Sequence, residues 1–260
     1  MKPGESGGLD RFIEELVWRI AGGREQTAHR LLNRLSEVVE ADGVAGLFDI
    51  SGGPSAGTDR DESERWDHQL IAQHVSEGAS VLDLGCGSGT LLAHLMEIKN
   101  IRAQGVELDA DGVMDCVTNG VPVFQDDLDG GLAWFPDHSF DYVVLEETVQ
   151  TLNHPEIVIR EMARVGSRGI ITFPNFGHWK VRLSLAINGR MPVTESLPYQ
   201  WYDSPNIHSV TLDDLSTLLE AEGITICEGH VHTEKEVRPL EEDDNLFGEE
   251  IMLMIRKNEA

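Results

Sequence analysis

Basic residues are scarce in this sequence: 20 Lys and Arg stand against 46 Asp and Glu in 260 residues, a net charge of -26, and only five of the bases are lysine. That balance excludes a sequence-independent grip on a phosphate backbone or an anionic lipid surface, which needs clustered cations. Neither nucleic acid nor membrane is expected as a partner. The acidic excess fits a solvated surface suited to a saline cytoplasm, or a basic partner protein. Cysteine is sparse as well. Cys86, Cys116 and Cys227 are odd in number and lack paired or metal-type spacing, which fits free thiols in a reducing compartment and no disulfide. Long apolar runs are missing, and the opening "MKPGESGGLD" lacks the apolar segment of a secretory signal, so the expected location is cytoplasmic.

The hydrophobic content of 40% is nevertheless ample for a packed core. Leu9, Phe12, Ile13, Leu16, Val17 and Ile20 recur at helical spacing until Gly22-Gly23, and Leu31, Leu32, Leu35, Val38 and Val39 repeat the pattern until Asp42-Gly43. Residues 1–48 are therefore expected to form a helical hairpin, whose apolar face is a candidate for homodimerisation. Residues 49–65, "DISGGPSAGTDRDESER", hold almost nothing to bury and read as a flexible linker. From residue 66 to 260, strand-like and helix-like segments alternate from "HQLIAQHV" to "RGIITFPN", which predicts a mostly parallel sheet with helices on both faces. The tail differs: after helix "LDDLSTLLEAEG", the strands "ITICEGHV" and "EIMLMIRK" are expected to pair antiparallel at the sheet edge, with "EEDDN" as a solvated loop between them.

The segment "VLDLGCGSGT", Val81 to Thr90, is an apolar strand running into a turn with Gly85, Gly87 and Gly89. In open α/β sheets a first strand-to-helix turn of this kind marks a ligand crevice. The turn alone fits a dinucleotide, S-adenosylmethionine, or mere helix packing. Asp83, two residues before the first glycine, suits an ammonium better than a pyrophosphate, and no Lys-Ser/Thr follows the loop as a P-loop requires. Glu107 ends the next strand, where a carboxylate can accept both hydroxyls of a ribose. Asp127 ends the third, placed for an adenine amino group with Leu128 against the ring. An ammonium, a ribose and an adenine make up one ligand.

The motifs "VLDLGCGSG", "GVELD", "QDDL" and "FDYVVLEETVQ" resemble, in order and spacing, the S-adenosylmethionine-binding motifs of class I methyltransferases. Further on, "FPNFGHW" and "LPYQWYDSPNIH" resemble the MetW family of methionine-biosynthesis proteins, over about Asp61 to Lys257. The resemblance implies a Rossmann-like α/β fold with a seven-stranded, mostly parallel sheet and an antiparallel C-terminal edge strand. It also implies a cofactor site of Asp83, Gly85, Cys86, Gly87, Gly89, Glu107, Leu108, Asp126, Asp127 and Leu128, and homoserine O-acetyltransferase as a partner. Glu146-Glu147 departs from it, since the family more often carries uncharged residues there.

Methyl transfer from a sulfonium needs the reactants held in line, water kept out and sometimes a proton removed. Candidate acceptor-side residues are Glu146, Glu147 and Gln150, then Asn175, His178 and Trp179, then Tyr199, Trp201, Tyr202, Asn206 and His208; His178, Tyr202 and Glu146 are the catalytic candidates. The same aromatics suit a partner-binding face equally well. His230 and His232 alternate on one strand without a further ligand cluster in sequence, so no metal is expected. Three functions follow: a binding module that regulates the acyltransferase, a methyltransferase acting on a small acceptor, and, remotely, a dinucleotide-dependent oxidoreductase.

Overall fold

Sheet order in the computed structural model, which describes residues 14–46, 65–233 and 235–258, is β3-β2-β1-β4-β5-β8-β6-β7. Strands β1 (Ser80–Leu84), β2 (Arg102–Glu107), β3 (Val123–Gln125), β4 (Phe140–Glu146) and β5 (Gly166–Pro174) pair in parallel. Helices α3 (Trp66–His74), α4 (Thr90–Lys99), α5 (Ala110–Thr118) and α6 (Pro155–Val165) alternate with them, as the sequence pattern predicts. The chain turns back on itself between β1 and β4, where Asp83 lies opposite Val144. This is the topological switch point, at which open α/β sheets bind ligands.

The C-terminal strand β8 (Glu250–Lys257) is inserted between β5 and β6 (Ile224–His232), antiparallel to both. The antiparallel character expected of the tail is thus present, with β8 inside the sheet. An eighth strand, β7 (Val237–Pro239), joins the seven expected and forms the edge beside β6. At three residues it is too short to leave a period in the sequence. The "EEDDN" segment is not a solvated loop throughout, because Asp244 is fully buried. Arg238 grips both of its oxygens at 2.7 Å, so burial leaves no uncompensated charge. Asp244 opens the short helix α9 (Asp244–Phe247).

Alternation along the strands sorts side chains between two cores. Leu82, Leu84, Val143, Leu145 and Phe173 pack with α6 and with α8 (Leu212–Ala221) on one face. Val81, Tyr142, Val144 and Ile170 pack with α3 and α4 on the other. Period two therefore places Asp83, two residues from Val81, and Glu146, two from Val144, on the face covered by α3.

Two further helices precede this domain, α1 over residues 14–20 and α2 over Glu25–Gly46, joined by a turn with Gly22 and Gly23 at φ of 65° and 74°. The helix runs three residues beyond Gly43. Leu9, Phe12 and Ile13 of the predicted stripe, and residues 49–64 of the predicted linker, lie outside the described residues. Val17, Ala21, Ala28 and Leu31 pack on Trp179 and Leu183 of α7 (Trp179–Leu183) and on Leu246. Of the apolar face expected to serve homodimerisation, Val17 and Leu31 are thus buried against the chain's own domain, while Leu16, Ile20, Leu32, Leu35, Val38 and Val39 are half-buried. No helix among the described residues is long and apolar enough to cross a membrane.

Candidate functional site

At the end of β1 Asp83 is buried, and its Oδ1 has no hydrogen-bond partner. Burial first, and the Glu146 and Glu107 carboxylates next, push its carboxyl well above the usual range. A buried acid in this state is relieved by an arriving cation. The glycine loop follows. Gly85 N–H and Cys86 N–H donate to Val106 O at 2.8 and 3.1 Å, which folds the loop over β2. A Cβ on Gly85 would lie 2.7 Å from Thr148, whereas one on Gly87, at φ 52°, would meet nothing within 4 Å. Gly85 therefore serves packing, and Gly87 leaves an open approach to its backbone. Cys86 contributes backbone only, as its thiol lies 3.6 Å from that of Cys116 and touches the space beside Gly105.

Glu107 at the end of β2 accepts from Gly87 N–H through Oε2 and from Asp109 N–H through Oε1, both at 2.8 Å. It thus braces the loop while each oxygen keeps a second lone pair for a hydroxyl. Leu108 beside it is 62% exposed. Beyond β3, Asp126 accepts from Asp127 N–H at 2.9 Å, and Asp127 accepts from Asp129 N–H at 3.0 Å, capping a short turn over Leu128–Gly130. Asp126, Asp127 and Leu128 line a cavity of about 470 Å³ with Phe124, Trp134 and Phe135. Leu128 is also part of the core, so its place against a ring is set by packing.

Around Glu146 the structure assembles residues that sequence reasoning missed. His68 Nε2 lies 3.0 Å from Glu146 Oε1, and Arg65 Nη2 is 2.5 Å from the same oxygen. Arg65 also forks onto Asp67, at 3.0 and 2.5 Å, and His68 N–H donates to Asp67 Oδ1 at 3.0 Å. Burial would lower the His68 imidazole, but the hydrogen bond and charge of Glu146, with Asp67, raise it above its ordinary value. Glu146 is raised by burial, against the pull of His68 and Arg65. The signal for these residues was present in "WDHQLIAQH": Asp67 falls on the helical face of Leu70, Ile71 and His74, and a charged residue on a buried face demands a partner. Arg65, at the end of the predicted linker, belongs to this cluster. Glu146 thus has the Arg65 guanidinium and the His68 imidazole beside it.

The three catalytic candidates fall in three different surroundings. Glu146 is in the cluster just described. His178 is buried under the hairpin, lining a cavity of about 270 Å³ with Arg34, Glu37, Trp179 and Lys180. Burial, then Lys180, Arg34 and Arg182, hold its imidazole well below the ordinary range. Tyr202 is 70% exposed and packs edge-on against Trp201, itself 78% exposed, with rings 5.8 Å apart. Asn175 is spent on structure: its Nδ2 donates to Asp244 O, Asn245 O and Gly248 O, and its Oδ1 accepts from Gly177 N–H. Gln150 and His208, by contrast, are brought together. Ile207 N–H and His208 N–H donate to Gln150 O at 2.8 and 3.0 Å, while Gln150 Oε1 and His208 Nε2 stay buried without partners. Asp83 Oδ1 is likewise buried without a partner, and orphaned polar atoms of this kind call for an explanation.

The sheet order and its switch-point loop define a Rossmann-like fold of the class I methyltransferase type. A SAM-dependent methyltransferase from Thermotoga maritima superposes with a TM-score of 0.55 at 15% identity, covering 93% of this chain and 100% of its own. In sequence, the bifunctional methionine biosynthesis protein MetXA/MetW of Rhodopirellula baltica is 34% identical over 171 residues, 62% of this chain and 27% of that protein. A fatty-acid O-methyltransferase of Mycolicibacterium smegmatis is 26% identical over 166 residues, 58% of this chain and 60% of its own. The chain thus spans about a quarter and three fifths of these two relatives. Residues 65–255 match the family described as methionine biosynthesis protein MetW, and the chain belongs to that family.

Proposed function

We propose that the protein binds S-adenosylmethionine at the carboxyl edge of β1, β2 and β3 and serves methionine biosynthesis together with homoserine O-acetyltransferase. The observation that carries the first part is the buried, unpartnered Asp83 Oδ1 beside the open backbone of Gly87. Asp83 would take the ammonium, Glu107 the ribose hydroxyls, and the Asp126–Leu128 turn with Leu108 the adenine. When bound, the cofactor brings an electrophilic methyl on its sulfonium. A dinucleotide fits less well, because Asp83 puts a carboxylate close to where a pyrophosphate needs donors alone.

Two features support the partner role. The Rhodopirellula relative joins a MetW-like segment to a MetXA segment in one chain. Here Trp201, Tyr202 and Tyr199 form an exposed aromatic group, at 78, 70 and 49%, of the kind that anchors interfaces. A second reading, methyl transfer to a small acceptor, is favoured by the His68–Glu146 pair, which lies on the same sheet face as Asp83 and offers a base.

Calorimetric titration with S-adenosylmethionine, S-adenosylhomocysteine and NAD tests the cofactor: the first two should bind and NAD should not. Co-purification with the acyltransferase tests the partner. Trp201→Ala and Tyr202→Ala should each weaken that complex by more than about 1 kcal/mol while sparing cofactor affinity. Turnover of radiolabelled cofactor with an intact complex in those variants would transfer the aromatics to the second reading.

A further inference from the structure

On the far side of α3 from the cofactor edge, two histidines and a carboxylate converge from distant parts of the chain. His74 is the last residue of α3. Glu228 and His230 stand two apart on β6 and so share a face. His74 Nε2 lies 3.1 Å from Glu228 Oε1, and His230 Nε2 lies 3.7 Å from the same oxygen. One ligand atom from each residue falls within 4.8 Å of the others. The two imidazoles meet edge to face with ring centres 5.2 Å apart.

The hydrogen bonding of His74 decides what belongs between them. Its Nδ1 is 2.8 Å from Leu70 O. A carbonyl can only accept, so Nδ1 carries the hydrogen, and in the neutral ring Nε2 presents a lone pair to a carboxylate oxygen 3.1 Å away. Two acceptors facing one another at that distance need a shared cation. A proton on Nε2 bridges that pair alone. An ion placed between the three also engages His230, whose Nδ1 is buried without a partner and whose Nε2 turns toward Glu228.

The geometry points to a site for a divalent first-row transition ion of the zinc class, held by His74, Glu228 and His230 with a further position open to solvent. Bond lengths of about 2.0–2.2 Å in a tetrahedron place ligand atoms about 3.3–3.6 Å apart. The 3.1 and 3.7 Å separations from Glu228 bracket that range, and all three ligand atoms lie within 4.8 Å of one another. Two imidazoles with one carboxylate favour zinc, cobalt or nickel over magnesium or calcium. The Nδ1–H to carbonyl bond of His74 is the outer contact that orients ligating histidines. Glu228 is 49% exposed, while the His74 and His230 side chains are 16 and 13% exposed, which leaves one side for water. Sequence alone paired His230 with His232; the third group comes from a helix 154 residues before Glu228, and His232 instead bonds Glu250 at 2.7 Å and stacks on Trp66. Such an ion would fasten the end of α3 to β6.

Titration of the metal-free full-length protein with Co²⁺, followed by its visible absorption, and with Zn²⁺ in competition, tests the site. We expect saturation at one equivalent with the absorption of a four- or five-coordinate ion, and at least a tenfold loss of affinity in His230→Ala and His74→Ala. Glu228→Gln changes a half-exposed side chain, should fold normally, and should also weaken binding. No saturable binding, or equal binding in Glu228→Gln and His230→Ala, would overturn the assignment. Loss in His68→Gln with retention in His230→Ala would place the ion at the Asp67–His68–Glu146 group and also refute it.

Discussion

His68 Nε2 meets Glu146 Oε1 at 3.0 Å, joining the first turn of α3 to the end of β4 across the switch point. Both groups hold their protons more tightly than in an unfolded chain: burial raises Glu146, and Glu146 and Asp67 outweigh burial to raise His68. At these two groups the folded protein therefore binds more protons than the unfolded one, and their share of the stability falls as pH rises. The His68 share is fully present below its unfolded value of about 6.5 and is lost as pH climbs through the raised folded value. Thermal unfolding of the ligand-free protein should show this decline above neutrality, and His68→Gln should flatten it. An unchanged slope in that variant would detach His68 from the profile.

If the second functional reading holds, the same pair has a kinetic signature. Glu146→Gln should lower the rate of methyl transfer by about 10²–10⁴-fold, the usual worth of a positioned base, with cofactor affinity changed little. A comparable loss of cofactor binding would show that Glu146 belongs to the cofactor side.

Asp83 presents a conflict between stability and binding. Burial, with Glu146 and Glu107, raises its carboxyl, so the folded state again favours the proton, and stability declines as pH rises from about 4 toward the raised value. Asp83→Asn removes that titration and should stabilise the ligand-free protein at neutral pH relative to the wild type, since no buried carboxyl is left to ionise. It should also abolish S-adenosylmethionine binding. Because an ammonium draws Asp83 into its ionised form, binding should release a proton and strengthen with pH. Calorimetry in buffers of different ionisation enthalpy measures that release. A variant that is more stable yet binds normally would remove Asp83 from the site.

Glu107 braces Gly87 and in the proposed site also takes the ribose, so its loss has two readouts. Glu107→Ala should weaken cofactor binding by about 1.5–3 kcal/mol, the range for hydrogen bonds to a charged group. It should also lower the melting temperature of the ligand-free protein, since Gly87 N–H and Asp109 N–H both lose their acceptor. A fall in stability with unchanged affinity would leave Glu107 a loop brace only.

The strand and helix order was legible in the sequence because it rests on long periodic segments: "FDYVVLEETV" and "PEIVIREMARV" have only one way to bury their apolar faces. Asp83 and Glu107 stand out for a related reason, as acids at the ends of buried strands; the structure buries the first and sets the second on the N–H groups of Gly87 and Asp109. The Arg65–Asp67–His68 cluster was not, because its meaning depends on Glu146, 78 residues beyond His68. His178 was misleading in the opposite sense. It follows β5 in sequence as an acceptor-side residue would, yet it lines a cavity with Arg34 and Glu37 of the hairpin, on which Trp179 packs. Sequence position gives the strand that a residue follows, and tertiary packing decides which way the chain then leaves the sheet.

That packing makes the hairpin testable. Leu31 is fully buried and sits in the cluster with Val17, Trp179 and Leu246, and a polar rim surrounds it: Thr27 Oγ1 donates to Asp243 at 2.7 Å, and Arg24 and Arg30 approach Asp243 at 3.2 and 3.4 Å. Both arginines remain 44% exposed, so solvent screens these ion pairs and the apolar contact should dominate. Leu31→Ala should cost about 2–5 kcal/mol of docking, as large-to-small changes in cores do, whereas Arg30→Ala should cost about 1 kcal/mol or less. Limited proteolysis should then cut the hairpin of Leu31→Ala much faster than that of the wild type. Cofactor affinity should remain, because the described part of the hairpin packs on α7 and α9. Loss of affinity in Leu31→Ala would mean that the hairpin holds the strand-end site in shape through α7.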